Sequence, residues 1–270
     1  MKNKAPKPFI KWAGGKRWLV ANTGFSIPDI SGRYIEPFLG GAAVFFHTLP
    51  DTAILSDANP KLIATYQAVK DDWSAVYREL KKYVTSHDET FYYQERSRKR
   101  RSPHTLAAQF IYLNRTCFNG LYRENKLGQF NVPVGKKTSV LRPDDDFAAI
   151  ADSLRGAELI CQDFELTIAE ARAGDFVFVD PPYTVAHNEN GFIQYNQNIF
   201  SWSDQMRLRD SIEAALNRGA VVYMTNANHE SIHELYEDLG NPLILPRASK
   251  ISGSLSGRGS STETLYQFSK

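Results

Sequence analysis

The chain has 270 residues, 42% of them hydrophobic and 23% charged, a make-up that supports a sizeable core in one large domain or in a main domain with an insert. Two distant cysteines, Cys117 and Cys161, exclude a disulfide framework and a thiolate zinc site and fit a reducing cytoplasm, no apolar run is long enough to cross a bilayer, and "MKNKAPKPFIKW" lacks the apolar core of a signal peptide. The net charge of +2 hides an asymmetry: residues 91–142 hold eleven Lys or Arg against two acids, Glu95 and Glu124, so that segment carries +9 and the rest −7. A basic insert on an acidic body suits a polyanion such as nucleic acid, although a solvated basic helix face gives the same signature.

The first chemical motif in chain order is "IKWAGGK", residues 10–16. Paired glycines before a lysine suggest a phosphate cradle. A P-loop needs GxxxxGK[ST], however, and Arg17 stands where Ser or Thr should bind magnesium, so a kinase or ATPase reading fails. Trp12 and Lys16 remain able to pack on and pair with a ligand, and a plain N-terminal turn explains the stretch equally well. Next, "RYIEPF" (33–38) reads as a strand running into a turn with Gly40 and Gly41 and an apolar helix. Small residues there let a ligand approach the backbone at the end of a central strand. "AILS" (53–56) is a second strand, and Asp57 follows Glu36 by twenty-one residues, a spacing at which an acid commonly holds ribose hydroxyls. The pair points to a nucleoside-containing cofactor. The turn lacks GxGxxG, so it does not indicate a dinucleotide.

"NPKLIATYQAVKDDWSAVYREL" (59–80) has helical apolar spacing. The basic segment follows, with a helical pattern broken at Pro103 and then the turn-rich "NGLYRENKLGQFNVPVGKK", which reads as loops and a hairpin. Residues 60–149 are therefore taken as an inserted, mainly helical subdomain within a body made of 1–59 and 150–270. That body continues with strands "ELICQ" (158–162), "FVFVD" (176–180) and "AVVYMT" (220–225), and with a helix over 201–219 that starts on a Ser cap and ends on Gly219. The strands are mostly continuous in apolarity, as parallel strands covered on both faces should be. Their alternation with helices predicts an α/β, doubly wound, Rossmann-like sheet. "NPLILP" (241–246) and "ETLYQF" (263–268) suggest an antiparallel pair on one edge, separated by a Gly/Ser-rich mobile loop over 249–262. The six histidines, including His229 and His233, read as helix-surface residues.

One strand ends abruptly: "FVFV" runs into Asp180, Pro181, Pro182 and Tyr183. Active sites of such folds lie at the carboxyl ends of the strands. Neither proline has an N–H, so their carbonyls are acceptors in a stiff, extended turn. An acid beside a fixed carbonyl aims two acceptors at one small group, which suits an –NH2 donor, and the tyrosine ring suits a stacked base.

Together "KWAGGK", "EPFLGG", "LSDAN", "LNRTCFNGLYRENKLGQFNVPVG", "CQDFE" and "DPPY", collinear over nearly the whole chain, resemble the Dam-type DNA adenine-N6 methyltransferases. The resemblance implies S-adenosylmethionine as methyl donor, no metal, and transfer to an adenine, usually within GATC. It implies that Trp12 and Lys16 lie at the methionine end of the cofactor. Glu36, Phe38 and Gly40 would belong to the cofactor turn, Asp57 would hold the ribose, and Asp163 and Phe164 would hold the adenine ring. Asp180, which borders the cofactor, would form the target-base pocket with Pro181 and Tyr183. Phe118 and Asn119 would enter the base stack, Leu121, Arg123 and Pro133 would read base edges, and Lys11 and Lys137 would assist on the DNA. The implied partner is double-stranded DNA, with the enzyme either standing alone or paired with a cognate restriction endonuclease of the same system, as a monomer in the cytoplasm at the nucleoid.

Two positions depart from the family. Ala42 stands where many relatives have a third glycine, which is tolerable if its φ is negative, and Lys136 and Lys137 replace the Arg and Tyr of some relatives. Methylation of RNA or of cytosine N4 presents the same exocyclic amine, and a DNA-binding protein without turnover is a further alternative that the intact Asp180–Tyr183 stretch disfavours.

Overall fold

The central strands are built on apolar runs, Phe176–Val179 the purest and buried throughout, because β-branched and aromatic side chains pack well on a pleated surface covered on both sides. The computed structural model describes residues 5–21, 25–125, 127–186, 200–248 and 260–270. The chain divides into two units: Met1–Ser26, Leu39–Asp51 and Asp57–Cys161 form the first, and Ile27–Phe38, Thr52–Ser56 and Gln162–Lys270 the second. Described elements in chain order are α1 (Arg17–Val20), β1 (Tyr34–Glu36), α2 (Ala43–Thr48), β2 (Ala53–Asp57), α3 (Pro60–Ser86), α4 (Glu89–Ser97), α5 (Pro103–Thr116) and α6 (Phe147–Ser153). They continue with β3 (Ala157–Cys161), α7 (Phe164–Ala169), β4 (Phe176–Val179), α8 (Trp202–Asn217), β5 (Val221–Ala227), α9 (Glu230–Tyr236), β6 (Leu243–Ala248) and β7 (Ser260–Phe268).

The first unit is mainly helical. Asn59 caps α3 by accepting the Lys61 and Leu62 N–H groups. The helical spacing expected over 59–80 is present, and Asp72 (φ −150°, ψ 73°) interrupts the helix. Its carboxylate accepts the Ala75 N–H at 2.9 Å and so caps the second half, the competing local bond that makes Asp a helix breaker. Pro103 sits at the first turn of α5, where a missing N–H costs nothing. Leu62, Tyr66, Val69, Val76 and Leu80 of α3 and Ala108, Ile111 and Tyr112 of α5 are buried.

In the second unit the strands lie in the order β2–β1–β4–β5–β7–β6. β1 pairs in parallel with β2 and β4, and β4 in parallel with β5. β7 runs antiparallel to both β5 and β6. The expected doubly wound α/β sheet with an antiparallel edge is therefore present. From β1 the chain turns to β2 on one side and later to β4 on the other, which makes the carboxyl ends of β1 and β4 the switch point where such sheets bind ligands. Ser201 caps α8 with a reciprocal bond to Asp204. The expected loop over 249–262 falls largely on 249–259, outside the described residues, while 260–262 belong to β7. His229 is not a plain surface residue either: its ring caps α9 by accepting the Ser231 N–H at 3.2 Å. No described helix is long and apolar enough to cross a membrane.

Candidate functional site

In the first unit the glycine turn leans on Trp12. Gly40 has φ +45°, and a Cβ there would stand 2.7 Å from the Trp12 ring, so only glycine fits. The Gly40 N–H donates to Asp57 at 3.1 Å, the Asn59 N–H donates to its other oxygen at 2.9 Å, and the Tyr66 hydroxyl donates to the Gly40 carbonyl at 3.1 Å. Burial pushes the Asp57 carboxyl above its ordinary pKa, and these two N–H groups work against that shift. Each carboxylate oxygen keeps acceptor capacity for a hydroxyl. Lys16 is nearly buried, and its ammonium donates to the Gly14 carbonyl at 2.6 Å.

Ala42 corrects the expectation of a negative φ: it adopts φ +54°, ψ +36° at the start of α2. Its N–H donates to Leu39 and its carbonyl accepts the Phe46 N–H, bonds that hold a conformation costing an L-residue about 1–2 kcal/mol.

The residues expected to meet DNA gather around a hairpin of the same unit. Two antiparallel bridges, Cys117–Val134 and Glu124–Phe130, define its arms. The Phe118 N–H donates to the Pro133 carbonyl at 2.8 Å. Phe118 is 49% exposed, large for a phenylalanine beside a buried cysteine. Asn119 takes a positive φ of 56°, which its short side chain tolerates, and its carbonyl accepts the Lys11 ammonium. Asn114 brackets the Lys11 backbone, accepting its N–H at 2.8 Å and donating to its carbonyl at 2.7 Å. Burial first, and then the nearby Lys137 charge, hold the Lys11 ammonium below its ordinary pKa. Lys11, Phe118, Asn119 and Pro133 are thus joined by direct bonds, Lys137 is close enough to act on Lys11, and the half-buried Leu121 donates its N–H to the Phe118 carbonyl at 3.3 Å. Arg123 lies farther out on the hairpin, exposed, with Nε donating to Asn131 at 2.9 Å.

In the second unit Glu36, at the end of β1, is buried and accepts the Tyr34 hydroxyl at 2.8 Å. Phe38 stacks on Phe164 with centroids 5.3 Å apart, and Phe200 meets Phe38 edge-on at 5.7 Å. Asp163 caps α7 by accepting the Glu165 N–H. Arg207 bonds Asp163 at 2.8 Å and Glu165 at 2.6 Å, and its guanidinium lies 4.9 Å from the Phe164 ring centre. The sequence carried no sign of Arg207 or Phe200 in this cluster, since each comes from a distant segment.

Asp180 follows β4 directly, and the Thr225 hydroxyl of β5 donates to its carboxylate at 2.8 Å. Tyr183 donates its phenol proton to Glu263 of β7 at 2.6 Å. Burial, then the negative charges of Asp180 and Glu263, push that phenol well above its ordinary pKa, so it stays neutral. Thr225 and Glu263 were also missed from sequence: they reach the Asp-Pro-Pro-Tyr stretch only through strand pairing.

A parallel-centred α/β sheet with this acid and ring at the end of β4, on a chain with a basic hairpin, belongs to the class of enzymes that methylate nucleic-acid bases. The chain is a member of the D12 class N6 adenine-specific DNA methyltransferase family, whose sequence pattern matches residues 12–249. It is 34% identical over 269 residues to the type II methyltransferase M1.LlaDCHI of Lactococcus lactis subsp. cremoris, covering 96% of this chain and 94% of that protein. It is 34% identical over 267 residues to the DNA adenine methylase of Serratia marcescens, covering 97% and 98% of the two chains. Identity to the DNA adenine methylase of Escherichia coli (strain K12) is 32% over 238 residues, or 87% and 85%.

Proposed function

We propose that this DNA adenine-N6 methyltransferase takes its methyl group from S-adenosylmethionine and delivers it to an adenine flipped out of duplex DNA, within GATC. The observation that carries this reading is Asp180, at the end of parallel strand β4 and oriented by Thr225, followed by Pro181 and the anchored ring of Tyr183. Residues 60–149 serve as the target-recognition part.

Adenine N6 is a weak nucleophile because its lone pair is delocalised into the ring. The Asp180 carboxylate and the Pro181 carbonyl accept its two hydrogens, which favours a pyramidal nitrogen with an available lone pair. Thr225 fixes the rotation of the carboxylate, so positioning and preorganised charge supply most of the acceleration. N6 is out of reach within a duplex; extruding the base costs a few kcal/mol, and stacking on Tyr183 returns about 1–3 kcal/mol. Phe118, already half in solvent, fills the gap left in the duplex.

The residues fit the cofactor. The turn at Gly40 is held close to Trp12 by a contact that a Cβ would obstruct, and Asp57 stands beside it as an acceptor for ribose hydroxyls. In the first unit Trp12 and Lys16 are assigned to its methionine end; in the second, Glu36 and Phe38 are assigned to the cofactor turn and Asp163 with Phe164 to its adenine ring. When bound, S-adenosylmethionine supplies an electrophilic methyl on cationic sulfur. Asp57→Ala should weaken its binding by about 1–3 kcal/mol, the worth of a hydrogen bond to a charged group. Calorimetry giving wild-type affinity would remove Asp57 from the site.

Arg123 carries the planar fork that matches O6 and N7 of guanine. Arg123→Ala should cost about 1–3 kcal/mol on a GATC duplex and much less on a duplex already changed at that guanine. Equal losses on both, read by fluorescence anisotropy, would make Arg123 a sequence-blind contact.

The overall reading is tested by tritium transfer from S-adenosylmethionine to duplex DNA with and without GATC, to duplex RNA and to single strands, with the modified base identified. Label on N6-methyladenine in the GATC duplex is expected. Label on cytosine N4 or on RNA would overturn the reading.

A further inference from the structure

Glu263 is a buried carboxylate that the reaction as described does not use. It lies on β7, opposite Ala227 of β5, and only 3% of it is exposed. Burying a carboxylate is expensive unless donors hold it, and here a donor is the phenol of Tyr183 at 2.6 Å, the length of a charge-assisted O–H···O⁻ bond. The same strand pair holds the other end of the motif, since Thr225, two residues before Ala227 on β5, binds Asp180. β5 and β7 thus grip both the acid and the ring of Asp180–Tyr183 from outside the motif. A tyrosine whose hydroxyl is tied at one end has its tilt set.

We infer that Glu263 is a positioning residue for methyl transfer: by accepting the Tyr183 phenol proton, it sets the ring at the angle at which the extruded adenine stacks. The inference rests on the adenine-N6 reading above. It predicts that the Tyr183 hydroxyl matters even though stacking needs only the ring, and that Glu263 acts through that hydroxyl and not independently of it.

The experiment compares wild type, Tyr183→Phe, Glu263→Gln, Glu263→Ala and the double variant Tyr183→Phe/Glu263→Ala. The readouts are kcat, KM for DNA, the dissociation constant for S-adenosylmethionine, and the fluorescence of 2-aminopurine at the target adenine. Tyr183→Phe and Glu263→Ala should each lower kcat about tenfold, with cofactor affinity unchanged, and both should alter the quenching of the extruded 2-aminopurine. Glu263→Gln keeps an acceptor for the phenol and should stay within roughly threefold of wild type. The double variant should be no slower than the slower single variant, because the two residues act as one unit. Multiplied losses in the double variant, or wild-type kcat and quenching in Tyr183→Phe, would overturn the inference. The double variant leaves neither the phenol nor the buried carboxylate without its partner, so it still reads the loss of positioning where a single variant fails to fold. An active wild type with an unaffected Tyr183→Phe defeats the positioning role alone, whereas a wild type that transfers no methyl to adenine defeats the adenine-N6 reading and the inference with it.

Discussion

Asp180→Ala is expected to lower kcat by about a hundredfold to a thousandfold, the scale seen when one preorganised polar partner of a developing charge is removed. The reason is local. Asp180 is one of two acceptors proposed for the N6 hydrogens, and no neighbouring side chain in the Pro181–Pro182 turn can replace a carboxylate. Affinity for duplex DNA should survive, because the residues proposed to meet DNA, in the hairpin and at 96–101, lie elsewhere in the chain. Thr225→Val provides the graded control: it keeps the shape but deletes the hydroxyl that orients Asp180 at 2.8 Å, and should cost about tenfold. Single-turnover methylation with saturating enzyme separates chemistry from binding. Turnover near wild type in Asp180→Ala would remove the proposed acceptor, and a Thr225→Val variant slower than Asp180→Ala would reverse their order of importance.

Much of the fold was legible because it is written in continuous runs. Phe176–Val179 and Ala53–Asp57 are strands within a residue or two of where their apolarity ends, and Ser201 starts α8 as its capping chemistry dictates. The Asp180–Tyr183 stretch was legible for the same reason: its four residues are adjacent, so their chemistry can be read without knowing any partner. What could not be read is what strand pairing brings in from afar. Glu263 is 80 residues from Tyr183 and Thr225 is 45 from Asp180, and neither carries a local signature. Ala42 shows another limit. Whether a methyl is tolerable there depends on φ, and φ is set by the bonds of that turn to Leu39 and Phe46, not by residue type.

The run "RSRKRR", residues 96–101, shows how burial divides residues that sequence treats alike. As part of the basic insert, its arginines read alike from sequence, as contacts to a polyanion or as a solvated face. In the structure Arg100 forms a two-pronged ion pair with Glu95, at 2.8 and 2.6 Å, and Glu95 is wholly buried. Tyr83 donates to the same carboxylate at 2.9 Å, while Arg98 reaches it only at 3.6 Å with half its side chain in solvent. Lys99 and Arg101 are exposed. Arg100→Ala should therefore cost about 3–5 kcal/mol of folding stability, since it takes the close charged partner from a carboxylate in the interior and leaves it the neutral Tyr83 hydroxyl. The triple variant Arg98→Ala, Lys99→Ala, Arg101→Ala should leave stability nearly unchanged, because exposed ion pairs contribute little. Its effect should appear on DNA instead: weaker binding to every sequence, and a log–log salt slope smaller by roughly 0.9 for each phosphate that the variant no longer neutralises. Urea unfolding and salt-dependent binding, measured on both variants, separate the two roles. If Arg100→Ala kept wild-type stability and flattened the salt dependence, Arg100 would belong with the residues that meet phosphates, and the Glu95 pair would be a minor feature of the folded protein in solution.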